Sequence, residues 1–216
     1  MRITMIHAIP ESIPAVKIAF QEEFPEAEVV NVLDDSLLVD FPGQLNPKLR
    51  RRMSQLILYC AEHGADAIGL ACSVYAPVVA TVAELVDVPL VSSYGPVMAE
   101  AVAGGSRIGI IASVPATLRD AEYYLIEAAR ERKKIVEPFR CLAEDLIPVM
   151  RSEGEAGLRR RLAEEVERLA PQVDSILLSQ FSMAVALNHL RDISPVPVLS
   201  APHSSARRLK ELLLAA

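Results

Sequence analysis

The sequence lacks the features that mark several large classes of protein. None of its apolar runs is long enough to span a bilayer, so we expect no membrane helix and no membrane partner. The N-terminal segment lacks the long apolar region and the small-residue cleavage site of a secretory signal, which predicts a cytoplasmic protein. Cysteine is scarce, and its 3 widely spaced residues fit a reducing compartment better than a disulfide framework.

Charge and motif content argue against further functions. The formal net charge is −6, and because binding to nucleic acid needs a basic face, we expect no nucleic-acid partner. The sequence has no Gly-rich phosphate fingerprint, no paired-cysteine motif and no serine nucleophile elbow. Its 4 histidines do not have the spacing of metal ligands. We therefore expect no cofactor and no bound metal.

What the sequence does contain is an alternation of short apolar runs with longer helical stretches. This alternation is typical of an α/β fold with parallel sheets. One helical stripe includes Cys60, which we assign to the core. Cys141 is predicted to open a helix and to be structural. The predicted strands are Ile3 to His7, Ala27 to Val32, Ala67 to Ala71, Leu90 to Ser92, Ile108 to Ala112, Lys134 to Phe139, Ser175 to Ser179 and Val198 to Ser200.

Segments of the first half of the chain recur in the second half, in the same order and at nearly one offset. The matching order indicates an internal duplication. It predicts an α/β fold of two pseudo-symmetric three-layer α/β/α halves, with mainly parallel sheets and a cleft between the halves. We expect residues 1–93 with 202–216 in one half and 94–201 in the other. The matched segments are 3–12 with 108–117, 66–73 with 174–181, and 88–92 with 196–200.

Cys72 and Gln180 occupy equivalent positions of this repeat, each directly after a predicted strand. Ligands of open parallel sheets collect beyond the carboxyl ends of the strands, so both positions are expected to look into one cleft. A thiol can move protons, whereas an amide cannot. A helix is predicted after Cys72, and its dipole would lower the pKa of the thiol. The alternative interpretation of Cys72 is a small buried apolar residue.

Hydroxyl groups near the same strand ends are candidate ligands for an anion. Ser12 and Thr117 are repeat partners in the first turns of two predicted helices. There they could bind a carboxylate together with free backbone N–H groups, or could simply cap the helices. Ser73, Ser179 and Ser182 are small polar residues near the expected cleft.

Three further side chains could assist the thiol as a second proton carrier. His7 ends the first predicted strand, and His203 follows the last one. Tyr75 could supply a phenolic proton or could simply pack.

These motifs resemble those of the aspartate/glutamate racemase superfamily, which includes hydantoin racemases, maleate isomerases and arylmalonate decarboxylases. Residues 67–73, with Cys72, are similar to the first cysteine motif of the family, and residues 174–184 are similar to the second. The segment from Val114 to Thr117 resembles its substrate-carboxylate loop. The resemblance implies two α/β halves around a cleft, a small carboxylate substrate, no cofactor and a homodimer.

Gln180 departs from this pattern, because the second cysteine of the family would stand there. Racemases of the family place one cysteine on each face of the substrate α-carbon, and glutamine cannot be the opposite-face base. The expected function is a racemase-like isomerase acting at the α-carbon of a small carboxylate, with Cys72 as acid/base. The alternatives are a one-thiol decarboxylase or cis–trans isomerase of a small dicarboxylate, and a non-catalytic small-acid binding protein.

Overall fold

The structure, a computed structural model that describes residues 1–215, divides into two compact units. The first unit consists of Met1–Pro96 and Pro202–Ala216, and the second is the continuous stretch Val97–Ala201. Each unit contains one four-stranded sheet in which all neighbouring strands are parallel.

Eight strands form the two sheets, in the order β2-β1-β3-β4 in the first unit and β6-β5-β7-β8 in the second. The inner strands β3 and β7 are buried along their whole length, as expected of parallel strands covered on both faces. The strands are β1 (Arg2–His7), β2 (Glu28–Leu33), β3 (Ala67–Leu70), β4 (Leu90–Val91), β5 (Arg107–Ala112), β6 (Glu137–Leu142), β7 (Ser175–Leu178) and β8 (Val198–Ser200).

Nine α-helices connect and cover these strands within residues 1–215. The longest, α7, is interrupted at Gly154, where φ is 68°. None of the helices within residues 1–215 is long and apolar enough to cross a membrane. The helices are α1 (Ser12–Glu23), α2 (Ser36–Val39), α3 (Pro47–Glu62), α4 (Pro77–Val82), α5 (Gly95–Gly104), α6 (Pro115–Glu131), α7 (Leu146–Leu169), α8 (Leu187–Ile193) and α9 (Ala201–Leu214).

The two units repeat the same structure down to individual hydrogen bonds. In the first unit the N–H of Arg2 donates to Oδ2 of Asp66 at 2.7 Å, while the N–H of Asp66 donates to the carbonyl of Arg2 at 2.8 Å. In the second unit Arg107 and Asp174 make the same pair of bonds, at 2.9 Å and 2.7 Å. The predicted fold of two pseudo-symmetric α/β halves is therefore confirmed.

Helices cover both faces of the sheet in the first unit. Ile6 of β1 belongs to a buried cluster with Met53 and Ile57 of α3. The next residue, His7, contacts Ser12 of α1 instead. Because successive residues of a strand point to opposite faces, α1 and α3 lie on opposite sides of the sheet, which gives three layers.

α9 lies beside α1 in the first unit. Nε2 of His203 is 3.1 Å from Oε2 of Glu22, and Nζ of Lys210 is 5.4 Å from the centre of the Phe24 ring. Gly69 of β3 leaves room for Met5 of β1, since a Cβ there would lie 2.5 Å from Sδ of Met5, and Leu209 of α9 lies 3.4 Å from the same point. The first unit is thus completed by a helix from the far end of the described chain.

The strand β6 begins and ends three residues later than the sequence indicated. The prediction for β6 was Lys134 to Phe139, but the strand is Glu137–Leu142. Lys134 is instead tied to the end of α6, where its N–H donates to the carbonyl of Ala129 at 2.9 Å. The prediction that Cys141 opens a helix is therefore wrong, since Cys141 lies in β6.

Candidate active site

Cys72 lies at the carboxyl edge of the first sheet, separated from the end of β3 by Ala71, and is half-buried. A single 3₁₀ turn, Ser73–Tyr75, follows it. Burial raises the pKa of the Cys72 thiol to about 12, although hydrogen bonds from the backbone N–H groups of Val74 and Tyr75 act in the opposite direction. The expected net lowering of the pKa is wrong, because loss of hydration of the thiolate outweighs the N–H groups of one short turn.

A protonated thiol is an acid rather than a base. At neutral pH nearly all of Cys72 carries its proton in this structure. The side chain is therefore ready to donate a proton, and it becomes a base only when a ligand or a conformational change stabilises the thiolate.

His7, at the end of β1, is fully buried and hydrogen-bonded through both ring nitrogens. Nδ1 lies 2.6 Å from Oγ of Ser12, and Nε2 lies 2.8 Å from Oδ1 of Asn31. Burial lowers the pKa of His7 to about 4, against the hydrogen bond to Asn31, which raises it. The ring is therefore neutral at pH 7. Since Oδ1 of Asn31 can only accept, Nε2 carries the proton and Nδ1 is the acceptor.

This arrangement restricts Ser12. Its hydroxyl oxygen is 2.6 Å from Nδ1 of His7 and 2.8 Å from the carbonyl of Ile9, and the residue is fully buried. A hydroxyl has one hydrogen, and both nearby groups accept it. Ser12 thus has no hydroxyl proton left for a carboxylate. It does not cap α1 either, because the N-cap of that helix is Glu11.

Tyr75 and Ser73 lie in the turn after Cys72 and are buried. The Tyr75 hydroxyl donates to the carbonyl of Leu37 at 2.7 Å. Burial raises the pKa of Tyr75 well above its ordinary value. Of the two roles foreseen for Tyr75, the structure favours packing, because its proton is already committed to a backbone acceptor.

His203 lies apart from the other candidates of the first unit. Its Nε2 contacts Glu22, near the C-terminal end of α1, whereas Ser12 begins that helix. Ten residues of helix separate these ends by about 15 Å. The structure therefore does not bring His203 together with Ser12.

Gln180 occupies in the second unit the position that Cys72 has in the first. The two residues have similar extended backbones, with φ and ψ of −119° and 139° for Gln180 and −131° and 115° for Cys72. Each precedes a 3₁₀ segment. Oε1 of Gln180 accepts two hydrogen bonds from Ser113, one from the backbone N–H at 2.7 Å and one from the hydroxyl at 2.8 Å.

These two bonds fix which way the Gln180 amide points. Ser113 follows β5 directly and is buried. Because its two donors hold Oε1, the two N–H donors of Nε2 are the end of the amide that a ligand can meet. A group that binds there must be a hydrogen-bond acceptor, such as a carboxylate or an enolate oxygen.

Other polar groups lie near the same edge of the second sheet. Oγ of Ser182 is buried and has no hydrogen-bond partner within residues 1–215, so it can still bind a ligand. The hydroxyl of Ser179 donates to the carbonyl of Ile111 at 2.7 Å and is already satisfied. Val114 is the N-cap of α6, and Thr117 is buried in its first turn, where backbone N–H groups lack intrahelical acceptors.

Sequence reasoning missed Asn31 and Ser113. The signal for Asn31 was a polar residue inside the apolar run of β2. The signal for Ser113 was its place directly after β5, where hydroxyl groups were already sought. In residues 1–215 no group of three or more His, Cys, Asp or Glu side chains is arranged to hold a metal ion.

No protein-family model and no curated protein sequence matches the chain. Its structure is similar to those of several racemases. An allantoin racemase from Klebsiella pneumoniae superposes with a TM-score of 0.77 at 18% identity, over 100% of this chain and 88% of that one. An aspartate racemase homologue from Pyrococcus horikoshii superposes with a TM-score of 0.74 at 17% identity, over 99% of both chains. A glutamate racemase from Bacillus anthracis superposes with a TM-score of 0.74 at 16% identity, over 99% of this chain and 81% of that one.

Similarity at this level of identity concerns the fold. The chain has the fold of the aspartate/glutamate racemase superfamily, and the resemblance inferred from its motifs is confirmed for the fold. The substrates of these racemases are properties of those proteins, because a shared fold does not by itself imply a shared function.

Proposed function

We propose that the protein is a cofactor-independent racemase-like enzyme that acts at the α-carbon of a small carboxylate, with Cys72 as the acid/base. The observation that carries this proposal is the position of Cys72 at the strand end that matches Gln180 in the repeat, on a fold shared with racemases. In the proposed complex both residues reach the same substrate.

The residues of the second unit would hold the substrate. Nε2 of Gln180, the free hydroxyl of Ser182 and the first-turn N–H groups of α6 near Thr117 are all donors. Donors of this kind bind a carboxylate and stabilise the negative charge that develops on it when the α-carbon loses a substituent. We include Val114, Ser73 and Ser179 in the substrate-binding set as supporting residues.

The chemistry of the α-carbon would be one-sided. Cys72 as thiolate would take the α-proton, leaving an enediolate, and as thiol would return a proton to the same face, which exchanges the α-proton without inverting the centre. Inversion would need a proton from water on the opposite face. Gln180 has no proton to exchange on the other face. His7 is neutral, and its ring proton is committed to Asn31, so it does not replace a second thiol in this state.

A second candidate reaction is favoured by this asymmetry, namely decarboxylation of a disubstituted malonate. The bond between the α-carbon and one carboxylate breaks, and its electron pair forms the enediolate as CO₂ leaves. The Cys72 thiol then protonates the α-carbon, and water restores the thiol. This reaction needs one acid on one face, which agrees with the raised pKa of Cys72.

The test is turnover of a panel of amino acids, hydantoins, maleate and substituted malonates by wild type and Cys72→Ala. We expect one class to react and the variant to lose at least about 100-fold in kcat, the typical contribution of a general acid or base. Cys60→Ala is the matched control, since Cys60 lies in the core of the first unit. Full activity of Cys72→Ala would overturn the assignment, and binding of acids without turnover would indicate a non-catalytic acid-binding protein.

We also propose that the protein works in the cytoplasm as a homodimer, on the basis of the resemblance. Light scattering of the purified protein checks the dimer, and a monomer at working concentrations would contradict it.

A further inference from the structure

A groove of ≈ 260 Å³ lies on the α1 face of the first unit, between α1 and the edge strand β2. Its apolar lining includes Phe20 and Phe24 from the helix side and Val29 from the strand. Its volume is slightly below the range of about 300 to 1,000 Å³ that is typical of small-molecule sites, so it fits a small ligand.

The spacing of the lining residues explains the groove. Residues 13, 17, 20, 21 and 24 recur at helical intervals, and residues 27, 29 and 31 alternate along the strand. α1 has 12 residues, whereas the equivalent helix α6 of the second unit has 17. Because α1 stops at Glu23, the chain turns into β2 early and leaves part of the edge strand uncovered.

The polar groups of the groove are mainly donors. Lys17 and Gln21 line it, and within the described part of the chain their side chains make no hydrogen bond or ion pair. Oδ1 of Asn31 is held by Nε2 of His7 at 2.8 Å, which leaves the N–H groups of Asn31 for a ligand.

The acidic residues that follow Lys17, on α1 and in the loop after the helix, do not neutralise its charge. Glu22 is hydrogen-bonded to His203, Glu23 is paired with Arg207, and Glu26 is paired with Lys210. Lys17 is therefore the cation of the groove that lacks a counter-charge, and an anionic ligand would complement it.

We propose that this groove binds a small monocarboxylate with an aromatic or branched aliphatic body. The carboxylate lies at Lys17 and Asn31, and the apolar body packs against Phe20, Phe24 and Val29. The site is distinct from the loops that hold Cys72 and Gln180, and it does not depend on the proposed function. A shallow site with one cation and about ten ligand atoms corresponds to a Kd on the order of 1 mM.

The experiment is a titration of ¹⁵N-labelled protein with phenylacetate, followed by NMR. We expect saturable shifts of the backbone signals of Phe20, Phe24 and Val29 and of the side-chain NH₂ of Asn31. Phenylacetamide, which has the same shape without the charge, should bind at least about tenfold more weakly, since a charge-assisted hydrogen bond is lost.

Lys17→Met is the decisive variant, and Lys48→Met is its matched control, because Lys48 is also an exposed lysine on a helix and does not line the groove. Lys17→Met should lose about tenfold in phenylacetate affinity and retain the weaker binding of phenylacetamide, whereas Lys48→Met should bind as wild type does. Equal affinity of wild type and Lys17→Met, or no saturable shift, would overturn the proposal.

The same titration separates this site from the proposed active site. Shifts around Cys72 and Gln180 alone would place the carboxylate there and refute the groove. Phenylacetate binding in the groove should be unchanged in Cys72→Ala, so failure of the proposed reaction leaves this result intact.

Discussion

Ser113 donates twice to one oxygen of Gln180, from its backbone N–H at 2.7 Å and from its hydroxyl at 2.8 Å. The position equivalent to Ser113 in the first unit is Ala8, next to His7, and the position equivalent to Gln180 is Cys72. The replacement of a thiol by an amide is thus accompanied by a residue that orients the amide. Ser113 therefore fixes the orientation in which Gln180 presents its two N–H donors.

Gln180→Glu should preserve the fold and weaken binding of the substrate. The new carboxylate still accepts both bonds from Ser113, but its other oxygen repels the substrate carboxylate, and two donors are lost. We expect kcat/KM to fall at least about 100-fold, since hydrogen bonds to charged groups contribute roughly 1.5–3 kcal/mol and repulsion adds to their loss. Steady-state kinetics with the active substrate of the panel, and calorimetry with malonate, measure the effect.

Ser113→Ala is the companion of this variant. It keeps the backbone donor to Gln180 and loses the hydroxyl, so we expect a smaller fall, about tenfold, in kcat/KM. A Gln180→Glu enzyme with wild-type KM and kcat would show that Gln180 does not contact the substrate.

Gln180→Cys should convert a one-sided site into a two-sided one. If both positions reach the α-carbon, a second thiol can donate or remove a proton on the opposite face. We expect α-deuterium to appear from both enantiomers of an amino acid in D₂O, with racemisation at least about tenfold faster than in wild type. Gln180→Ser, which adds no comparable acid, is the control, and equal rates in both variants would count against opposed positions.

The reactivity of Cys72 should rise steeply with pH. Burial raises the pKa of its thiol to about 12, and only the thiolate reacts with iodoacetamide. The alkylation rate should therefore rise about tenfold per pH unit from pH 7 to 10 without a plateau, whereas an exposed cysteine levels off above about pH 9. Mass spectrometry identifies the labelled residue, and Cys72→Ala reports any reaction of Cys60 and Cys141. A plateau near pH 7 would mean that the free protein holds a thiolate.

His7 should make the protein less stable in acid. Its pKa is lowered to about 4 in the folded state, from about 6.5 when unfolded, so the unfolded chain binds the proton more tightly. The contribution of His7 is complete above pH 6.5 and is lost as the pH falls through 4, by on the order of 3 kcal/mol. The free energy of unfolding, measured with urea, should fall more steeply over this pH range for wild type than for His7→Gln.

The control for this measurement is His63→Gln, since His63 is exposed at the end of α3. Its pH dependence should match that of wild type. Parallel curves for wild type and His7→Gln would show that His7 does not titrate as a buried group.

The strands were predictable because buried parallel strands are continuous apolar runs. The repeat was equally visible, since the pairing of Ile3 with Ala67 recurs as that of Ile108 with Ser175, at the offsets found in the sequence. The start of β6 was not predictable from the apolar pattern alone, because the backbone N–H of Lys134 donates to the carbonyl of Ala129 near the end of α6.

The hydrogen bonds that define the candidate site were harder to foresee. His7 pairs with Leu33 across the strands, yet its ring reaches Asn31, two residues earlier, so the contact depends on register and on side-chain direction. The pKa of Cys72 was misjudged for a related reason. The neighbouring N–H groups could be inferred from local sequence, but the amount of protein around the sulfur depends on long-range packing.

The division of the first unit has a consequence for how the chain is made. A ribosome releases the whole of Val97–Ala201 before α9, whereas the first unit needs α9 to cover Gly69 and to contact α1. Domains generally fold as units during synthesis, those nearest the N-terminus first. Here the order is reversed at the last step, since the second unit can be complete while the nascent first unit still exposes the face that α9 covers.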